Sequence, residues 1–474
     1  MITLRCESQL QFAEGFVEDA VGDLWEPWMR EIDRILEDGE LLNAVYQGLL
    51  SRYPKSRTLG RVGWPAEIVI RMLLLKHIRN WSFDVLEREV RPNLLYRDFT
   101  RVAAGKVPDA KTLGRQARAL GPEIIKQIHR RVVQLAVENN VVHGRKMRVD
   151  TTVVETNIHY PTDSSLLNDG NRVLTRLMKK VTARAGGMGA KLRDRSRSVK
   201  LRVLDIARAA RSKVPQSQEK MKKAYGKLLA SVGRVVGQAK RFSKEIANGV
   251  KRSADIFQQA ALEGLRREID TMVPRVQQVI KQTKARVFEG NTHAEGKLFS
   301  IFEPATEIIR KGKAGKPNEF GKMVKIQEAE GQMITDFEVY DERPADSDVL
   351  IPAIEIHQQI TGRTPDMAAG DAGFYKAKNV AQAKRMGVKR VSVPSRSTKS
   401  ATLKLEQKKR WFKKGQKWRT GCEGRISVLK RRHGLNRCRY KGVNGMKRWT
   451  GLGVIADNLI NIGKAIDKQK KSAV

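Results

Sequence analysis

The sequence predicts an α/β protein: a mixed sheet preceded by an all-helical N-terminal domain and interrupted by a long helical insertion. Three observations carry that expectation. Met147–Asn157 is rich in β-branched residues, and Val149, Thr151 and Val153 alternate with Asp150, Thr152 and Val154, the period of a strand. From Gln216 to about Arg286 the apolar residues Met221, Tyr225, Leu228, Val232 and Val235 and their successors recur every three or four positions, the period of a helix. Strand-like segments then return at Lys297–Phe302, Met323–Glu328 and Thr335–Tyr340, with turn residues between them.

Residues 1 to about 140 read as helices. Trp28–Leu50 has helix-like apolar spacing, and Trp64-Pro65-Ala66-Glu67 looks like a helix start leading into Ile68–Ile78. Trp81–Val90 gives a short helix stopped at Arg91-Pro92. Asp109 suits the N-cap of a helix to about Leu120, and Gly121-Pro122 breaks the chain before Glu123–Asn139. A short helix, a tight turn and a basic helix resemble a helix-turn-helix, although a plain helical bundle contains such pairs too.

Beyond the first strand, Tyr160–Gly170 reads as a loop and Ala185–Gly189 as a flexible break. The helical stripe suggests a hairpin or helical subdomain, with a bend at Asn248-Gly249 and a kink or restart at Pro274. Val349–Ile360 reads as a helix, and Met367–Asp371 as a short strand ending in an acid. Asn379–Met386 follows as a helix, Val388–Val393 as a strand and Arg419–Arg432 as a helix closed by His433-Gly434. A last helix runs from about Met446 to Lys468. The expected division is 1–140 for the N-terminal domain, 161–289 for the insertion, and 141–160 with 290–474 for the sheet domain.

Composition narrows the function. Lys and Arg number 92 against 51 acids, a net charge of +41 that is not confined to a tail. A surface so basic favours a polyanionic partner, DNA or RNA. No run of eighteen apolar residues is present and the N-terminus lacks a signal-peptide pattern, so no membrane association and a cytoplasmic location are expected. Cys6, Cys422 and Cys438 make neither a disulfide framework nor a zinc pattern and read as packing residues.

Three acids carry the chemistry. Asp150 sits in mid-strand between Val and Thr, where a carboxylate is costly to bury without a cation beside it. Without the insertion, the element order is strand, meander, helix, strand, helix, strand, helix, the order of a ribonuclease-H-like domain. Such a sheet brings its first strand beside its fourth, so Asp371 can meet Asp150 across a separation of 221 positions, and Glu423 follows 52 residues later from a helix across the sheet. Three carboxylates suit phosphoryl transfer on DNA. Two Mg²⁺ ions about 3.5–4 Å apart can clamp the attacking and leaving oxygens, and Mg²⁺ takes carboxylate and water ligands. Each acid alone has a bland alternative: a strand-edge residue, a turn former and a solvated helix acid. Arg419, Glu423, Ser427 and Lys430 share one helix face at 3.6 residues per turn, either as a functional face or as a surface ion-pair ladder.

Three motifs resemble those of bacterial insertion-sequence DDE transposases: Met147-Arg-Val-Asp150-Thr-Thr, Ala369-Gly-Asp371-Ala-Gly-Phe-Tyr375, and Arg419 and Glu423 followed by Lys430. The likeness runs from about residue 40 to the C-terminus. Two departures stand out: Gln416 occupies the place of a Tyr often found three residues before the Arg, and the long insertion follows the first strand. The resemblance implies Asp150, Asp371 and Glu423 as catalytic metal ligands for two Mg²⁺, with Mn²⁺ as a substitute, and Arg419 and Lys430 as phosphate contacts. It implies cleavage of double-stranded DNA at terminal inverted repeats with water as nucleophile. The freed 3′-hydroxyl then joins target DNA, without a covalent protein–DNA intermediate. A homodimer or larger synaptic assembly, associated with the nucleoid, is expected. Arg115 and Arg118, neighbours on the helix Lys111–Leu120, are the expected readers of the element ends. A non-catalytic basic nucleic-acid-binding protein explains the charge but not the acids; a stand-alone ribonuclease-H-like nuclease keeps the fold.

Overall fold

Helix-forming sequence with capping residues at its breaks gives the described residues of 27–138 seven α-helices. They are α1 Pro27–Ile35, α2 Gly39–Arg52, α3 Ala66–Ile78, α4 Phe83–Val90, α5 Leu94–Phe99, α6 Ala110–Ala119 and α7 Pro122–Glu138. The computed structural model describes residues 2–5, 21–52, 54–57, 63–103, 105–185, 191–212, 214–250, 256–310 and 317–473. The Ser82 side chain accepts from Val85 N at 3.1 Å and Asp109 from Thr112 N at 2.9 Å, so α4 and α6 begin where their caps are. Asn93 caps α5 in the same way, a helix too short to announce itself by periodicity. Helix α3 is buried along its whole length. Its Arg71 is tolerated there because Asp33 (2.5 Å) and Glu67 (3.1 Å) pair with it.

Residues 158–308 form one compact unit and the rest of the described chain another. The first of these holds α8 Asp163–Ala185, α9 Ser196–Arg211, α10 Ser217–Val250 and α11 Ile256–Phe288. The apolar stripe is packing: Tyr225, Leu228, Val232, Val235, Ala239, Phe242 and Ile246 are buried in its core with Leu167, Leu174, Ile269 and Val276. Three expectations fail here. Most of Tyr160–Gly170 is helix, because Thr162 accepts the Ser165 and Leu166 amides and so starts α8. Leu166 and Leu167 are then carried into the core. Helix α10 runs through Asn248 and Gly249 to Val250, one residue past the expected bend, and α11 continues through Pro274 rather than restarting there. Lys297–Phe302 is not a strand: the Gln282 side chain accepts from Leu298 N and donates to Leu298 O, taking the backbone groups a ladder would use. The expected break at Ala185–Gly189 falls almost entirely outside the described residues.

The sheet unit contains β1 Lys146–Thr156, β2 Glu307–Arg310, β3 Asn318–Glu328, β4 Ile334–Val339, β5 Met367–Ala369, β6 Arg390–Ser392 and β7 Arg437–Cys438. Its helices are α12 Leu350–Thr361, α13 Ala377–Arg385, α14 Ala401–Lys408, α15 Arg410–Arg432 and α16 Gly442–Ala473. Strand order is β2-β3-β1-β5-β6, with β4 beside β3 and β7 beside β1. Strand β1 pairs antiparallel with β3 and parallel with β5, and β5 pairs parallel with β6. The expected neighbours, first strand and the strand preceding Asp371, are therefore adjacent.

Alternation along β1 decides what covers each face. Met147 and Val149 pack with Leu350, Ala353 and Ile354 of α12. On the other face Val154 packs with Cys422 and Leu429 of α15 and Trp449 of α16. Cys422 and Cys438 are buried free thiols, as expected of packing residues, while Cys6 lies outside the described residues. Farther along α16, Leu452, Ile455 and Leu459 enter the core of the N-terminal helices, joining sequence start and end in one hydrophobic body.

Candidate active site and nucleic-acid interface

Asp150 lies on the same face of β1 as Arg148 and Val154, toward α15. Its side chain is 17% exposed. One carboxylate oxygen accepts from Thr151 N at 2.7 Å, and the other faces Arg419 Nη1 at 3.5 Å. The residue that asked for a cation in mid-strand has one.

Asp371 follows from register. Arg148 of β1 is paired with Ala369 of β5. Two residues onward, Asp150 is still within β1 while Asp371 lies just past the end of β5, the parallel neighbour spaced about 4.8 Å away. Asp371 caps the short 3₁₀ turn Ala372–Phe374, accepting from Ala372 N at 2.7 Å, and Arg396 Nη2 stands 3.6 Å from its Oδ1.

Glu423 comes from α15, which starts nine residues earlier than the sequence suggests and crosses β6, β5 and β1. Close approach requires small residues at two points. A Cβ on Gly415 would lie 2.6 Å from Ser392 Cβ, and one on Gly421 would lie 2.3 Å from Arg148 Nη1. Gln416 ties the same stretch down: its amide donates to Ser392 O at 2.6 Å and to Gly370 O at 3.3 Å, one residue before Asp371. In the sequence Gln416 is marked only as the position of an absent Tyr; the hydrogen bonds that make it a fastener between helix and strand ends reach residues 24 and 46 positions away. Glu423 is 61% exposed and accepts from Arg419 Nη2 at 2.8 Å. Arg419, itself 13% exposed, thus bridges Asp150 and Glu423. Lys430 is half-buried two turns farther along α15.

Beneath these residues is a buried charge network that the sequence did not reveal. Arg148 donates from Nε to Glu328 Oε2 at 2.8 Å and from Nη2 to Oε1 at 2.5 Å, and its guanidinium lies 4.7 Å from the Trp418 ring centre. Arg425, also buried, donates to Asp457 at 3.0 Å and stands 3.9 Å from Glu328. Two arginines and two acids so pin α15 to β1, β3 and α16. Burial pushes the Glu328 carboxyl up, and Arg148 opposes that. Burial likewise raises the Cys422 thiol well above its ordinary range, which keeps it a neutral packing group.

As they stand, no three described His, Cys, Asp or Glu side chains are close enough together to hold a metal ion. The donor chemistry nevertheless suits a hard cation. Three carboxylates arise from two adjacent strands and a helix across them, and oxygen ligands are what Mg²⁺ takes. Arg419 and Arg396 meanwhile face the acid oxygens and supply the positive charge that clustered carboxylates require.

In the N-terminal region, α6 buries Leu113 and Ala117 and leaves Arg115 and Arg118 exposed. Both line an open groove of about 810 Å³ together with Arg439, Lys441 and Arg448, contributed by the chain near the start of α16. Arg448 fixes that junction by donating to Ala117 O at 2.6 Å. The partnership with the C-terminal cations has no signature in local sequence. No helix among the described residues is long and apolar enough to cross a membrane.

A mixed sheet with one acid in β1 and another just past the end of its parallel neighbour, covered by an acid-bearing helix and preceded by a helical region, is consistent with a ribonuclease-H-like domain behind a helical N-terminal region. Residues 26–118 match the family model described as transposase domain (DUF772), and residues 378–462 match one described as transposase DDE domain. The two transposase-domain matches on one chain support an insertion-sequence DDE transposase. No curated protein and no solved structure gives a match.

Proposed function

We propose that the protein cleaves double-stranded DNA at the terminal inverted repeats of an insertion sequence and joins the freed 3′-hydroxyl ends to target DNA. The observation that supports this most is the placement of the three acids: Asp150 in β1, Asp371 two residues past the end of its parallel neighbour β5, and Glu423 on the helix across them, linked to Asp150 through Arg419. These three carboxylates would hold two Mg²⁺, or Mn²⁺ in their place. When bound, such ions activate the attacking oxygen and stabilise the leaving one. Asp150, on a strand buried on both faces, supplies a rigid ligand. Glu423, largely exposed, supplies one that can turn toward an incoming cation. Arg419 would exchange its carboxylate partners for a phosphate oxygen as the acids engage cations, and Lys430 would contact the backbone two turns away.

In this reading residues 1–140 bind the element ends, with Arg115 and Arg118 presented by α6. Residues 141–160 and 290–474 form the catalytic domain, and 161–289 the helical insertion. A homodimer or larger assembly would hold two ends together, near the nucleoid. The test is incubation of the protein with labelled end-bearing DNA and a target plasmid, with Mg²⁺ or a chelator. End cleavage and joined products in Mg²⁺ alone support the proposal. Binding without either product would leave a non-catalytic DNA-binding protein, and cleavage without joining would leave a nuclease.

A further inference from the structure

A second basic groove lies at the opposite ends of the central strands. The parallel strands β1, β5 and β6 begin at Lys146, Met367 and Arg390, and the acids come after those beginnings. At the starting edge, Arg145, Lys146, Lys389 and Arg390 are all exposed and line an open groove of about 1020 Å³. Its other wall is the first part of α15 with Lys409, Arg410 and Lys414, again all exposed. One acid lines it, Asp366, already neutralised by Lys389 at 3.0 Å and Arg363 at 3.2 Å.

Cations alone would suit any polyanion. Two tryptophans make this groove more selective. Trp411 and Trp418 are seven residues apart on α15, hence on one helix face, and both are partly exposed in the groove. Arg148 covers one face of the Trp418 ring, while Trp411 leans edge-on against the buried Phe412, with ring centres 5.5 Å apart. Flat rings set among backbone-neutralising cations are the arrangement that takes unpaired bases, whose faces are accessible only when a strand is single. We propose that this groove binds single-stranded DNA, with its phosphates on the strand-start cations and a base stacked on Trp411.

The location gives the site a use. Lys146 precedes Asp150 by four residues along β1, about 13 Å at 3.3 Å per residue. Lys414 precedes Glu423 by nine along α15, about 13 Å at 1.5 Å per residue. A strand freed at the acids, if the proposed cleavage occurs there, needs to run only that far to enter the groove. Binding itself does not depend on that chemistry.

The experiment uses the full chain in a chelator, titrated with a labelled oligothymidylate of about ten nucleotides, within the span of known single-strand sites, and with a hairpin duplex. Ultraviolet cross-linking followed by peptide mapping should mark Trp411 or Lys414. Lys389→Glu with Arg390→Glu should weaken single-strand binding at least about tenfold and make the logarithmic salt slope shallower by about 1.4, the release expected for two contacts. Trp411→Ala should weaken single-strand binding about tenfold and duplex binding less than about twofold, with Trp411→Phe restoring most of the loss. Equal losses for both DNA forms, or unchanged single-strand binding in the charge-reversed variant, would overturn the proposal. If Trp411→Ala fails to fold by circular dichroism, the exposed charge reversals and the cross-link map decide. Absence of metal-dependent cleavage with these binding results intact would remove the proposed activity and leave the groove. Cleavage with no groove binding would do the reverse.

Discussion

Replacing Arg148 by Met tests whether the buried charge network holds the acid-bearing helix on the sheet. The Arg148 side chain is 9% exposed and its partner Glu328 is fully buried. Met keeps most of the volume but leaves Glu328 with only Arg425 Nε, 3.9 Å away. Removing one member of a buried pair costs about 3–5 kcal/mol, chiefly through the charge left behind. At about 2 °C per kcal/mol for a unit of this size, the melting temperature should fall by roughly 6–10 °C. Arg148→Met with Glu328→Gln should recover a large part of that, giving a coupling energy of about 2 kcal/mol in a double-mutant cycle. The pH dependence has a definite sign. Glu328 has a raised carboxyl pKa in the folded state, and losing Arg148 raises it further. The folded variant then binds a proton that the unfolded chain releases, so its deficit relative to the wild type should shrink as pH falls toward 5. Below its melting temperature the variant should also cleave DNA on the order of a hundredfold more slowly, because α15 is no longer fixed over Asp150. Calorimetry of the four proteins at pH 7.5 and pH 5.5 measures all of this except the cleavage. A melting shift under about 1 °C, or strictly additive effects, would refute the reasoning.

Asp150→Asn, Asp371→Asn and Glu423→Gln should each abolish cleavage and joining while gel shifts with end DNA change little. Robust Mg²⁺-dependent cleavage by one variant would remove that residue from the site. Arg419→Ala and Lys430→Ala should reduce cleavage strongly with melting temperatures within a few degrees of wild type, since the pair with the exposed Glu423 contributes about 0–1 kcal/mol and Asp150 keeps its Thr151 N–H when the 3.5 Å Arg419 contact is lost; unchanged cleavage would return this face to an ion-pair ladder. Arg115→Ala with Arg118→Ala should cut discrimination between cognate and scrambled ends in gel shifts, and undiminished discrimination would move end recognition elsewhere. Acid should destabilise the fold through His129, whose burial lowers its pKa from 6.5 to about 4. The folded state refuses a proton that the unfolded state accepts, so stability falls as pH drops from 6.5 toward 4, by roughly 3 kcal/mol from this group. His77 and His357 act in the same direction, and flat stability by urea titration across that window would contradict the assignment.

Elements with strong periodicity or an explicit cap were legible from sequence. Asp109 and Pro65 marked helix starts, β1 declared itself by β-branched alternation, and the stripe in α10 foretold a buried face. What failed depended on contacts made at a distance. Nothing local in Lys297–Phe302 says that Gln282 will take its backbone hydrogen bonds, and Pro274 does not announce that α11 continues through it. At the candidate site, the three acids were legible because carboxylates in a strand, at a strand end and on a basic helix face each stood out. Their support was not: the pairing of Arg148 with Glu328 spans 180 positions, and Gln416 makes sense only once Gly370 and Ser392 lie beneath it.

A metal-preference switch at Asp371 tests the proposed three-carboxylate centre itself. The Asp371→Cys protein would carry a soft thiolate where a hard carboxylate stood, favouring softer ions over Mg²⁺. End cleavage should be lost in Mg²⁺ and return in Mn²⁺ or Cd²⁺, while the wild type cleaves in Mg²⁺ or Mn²⁺. Undiminished cleavage by Asp371→Cys in Mg²⁺ would mean that this acid holds no metal, and the proposed three-carboxylate centre would fall.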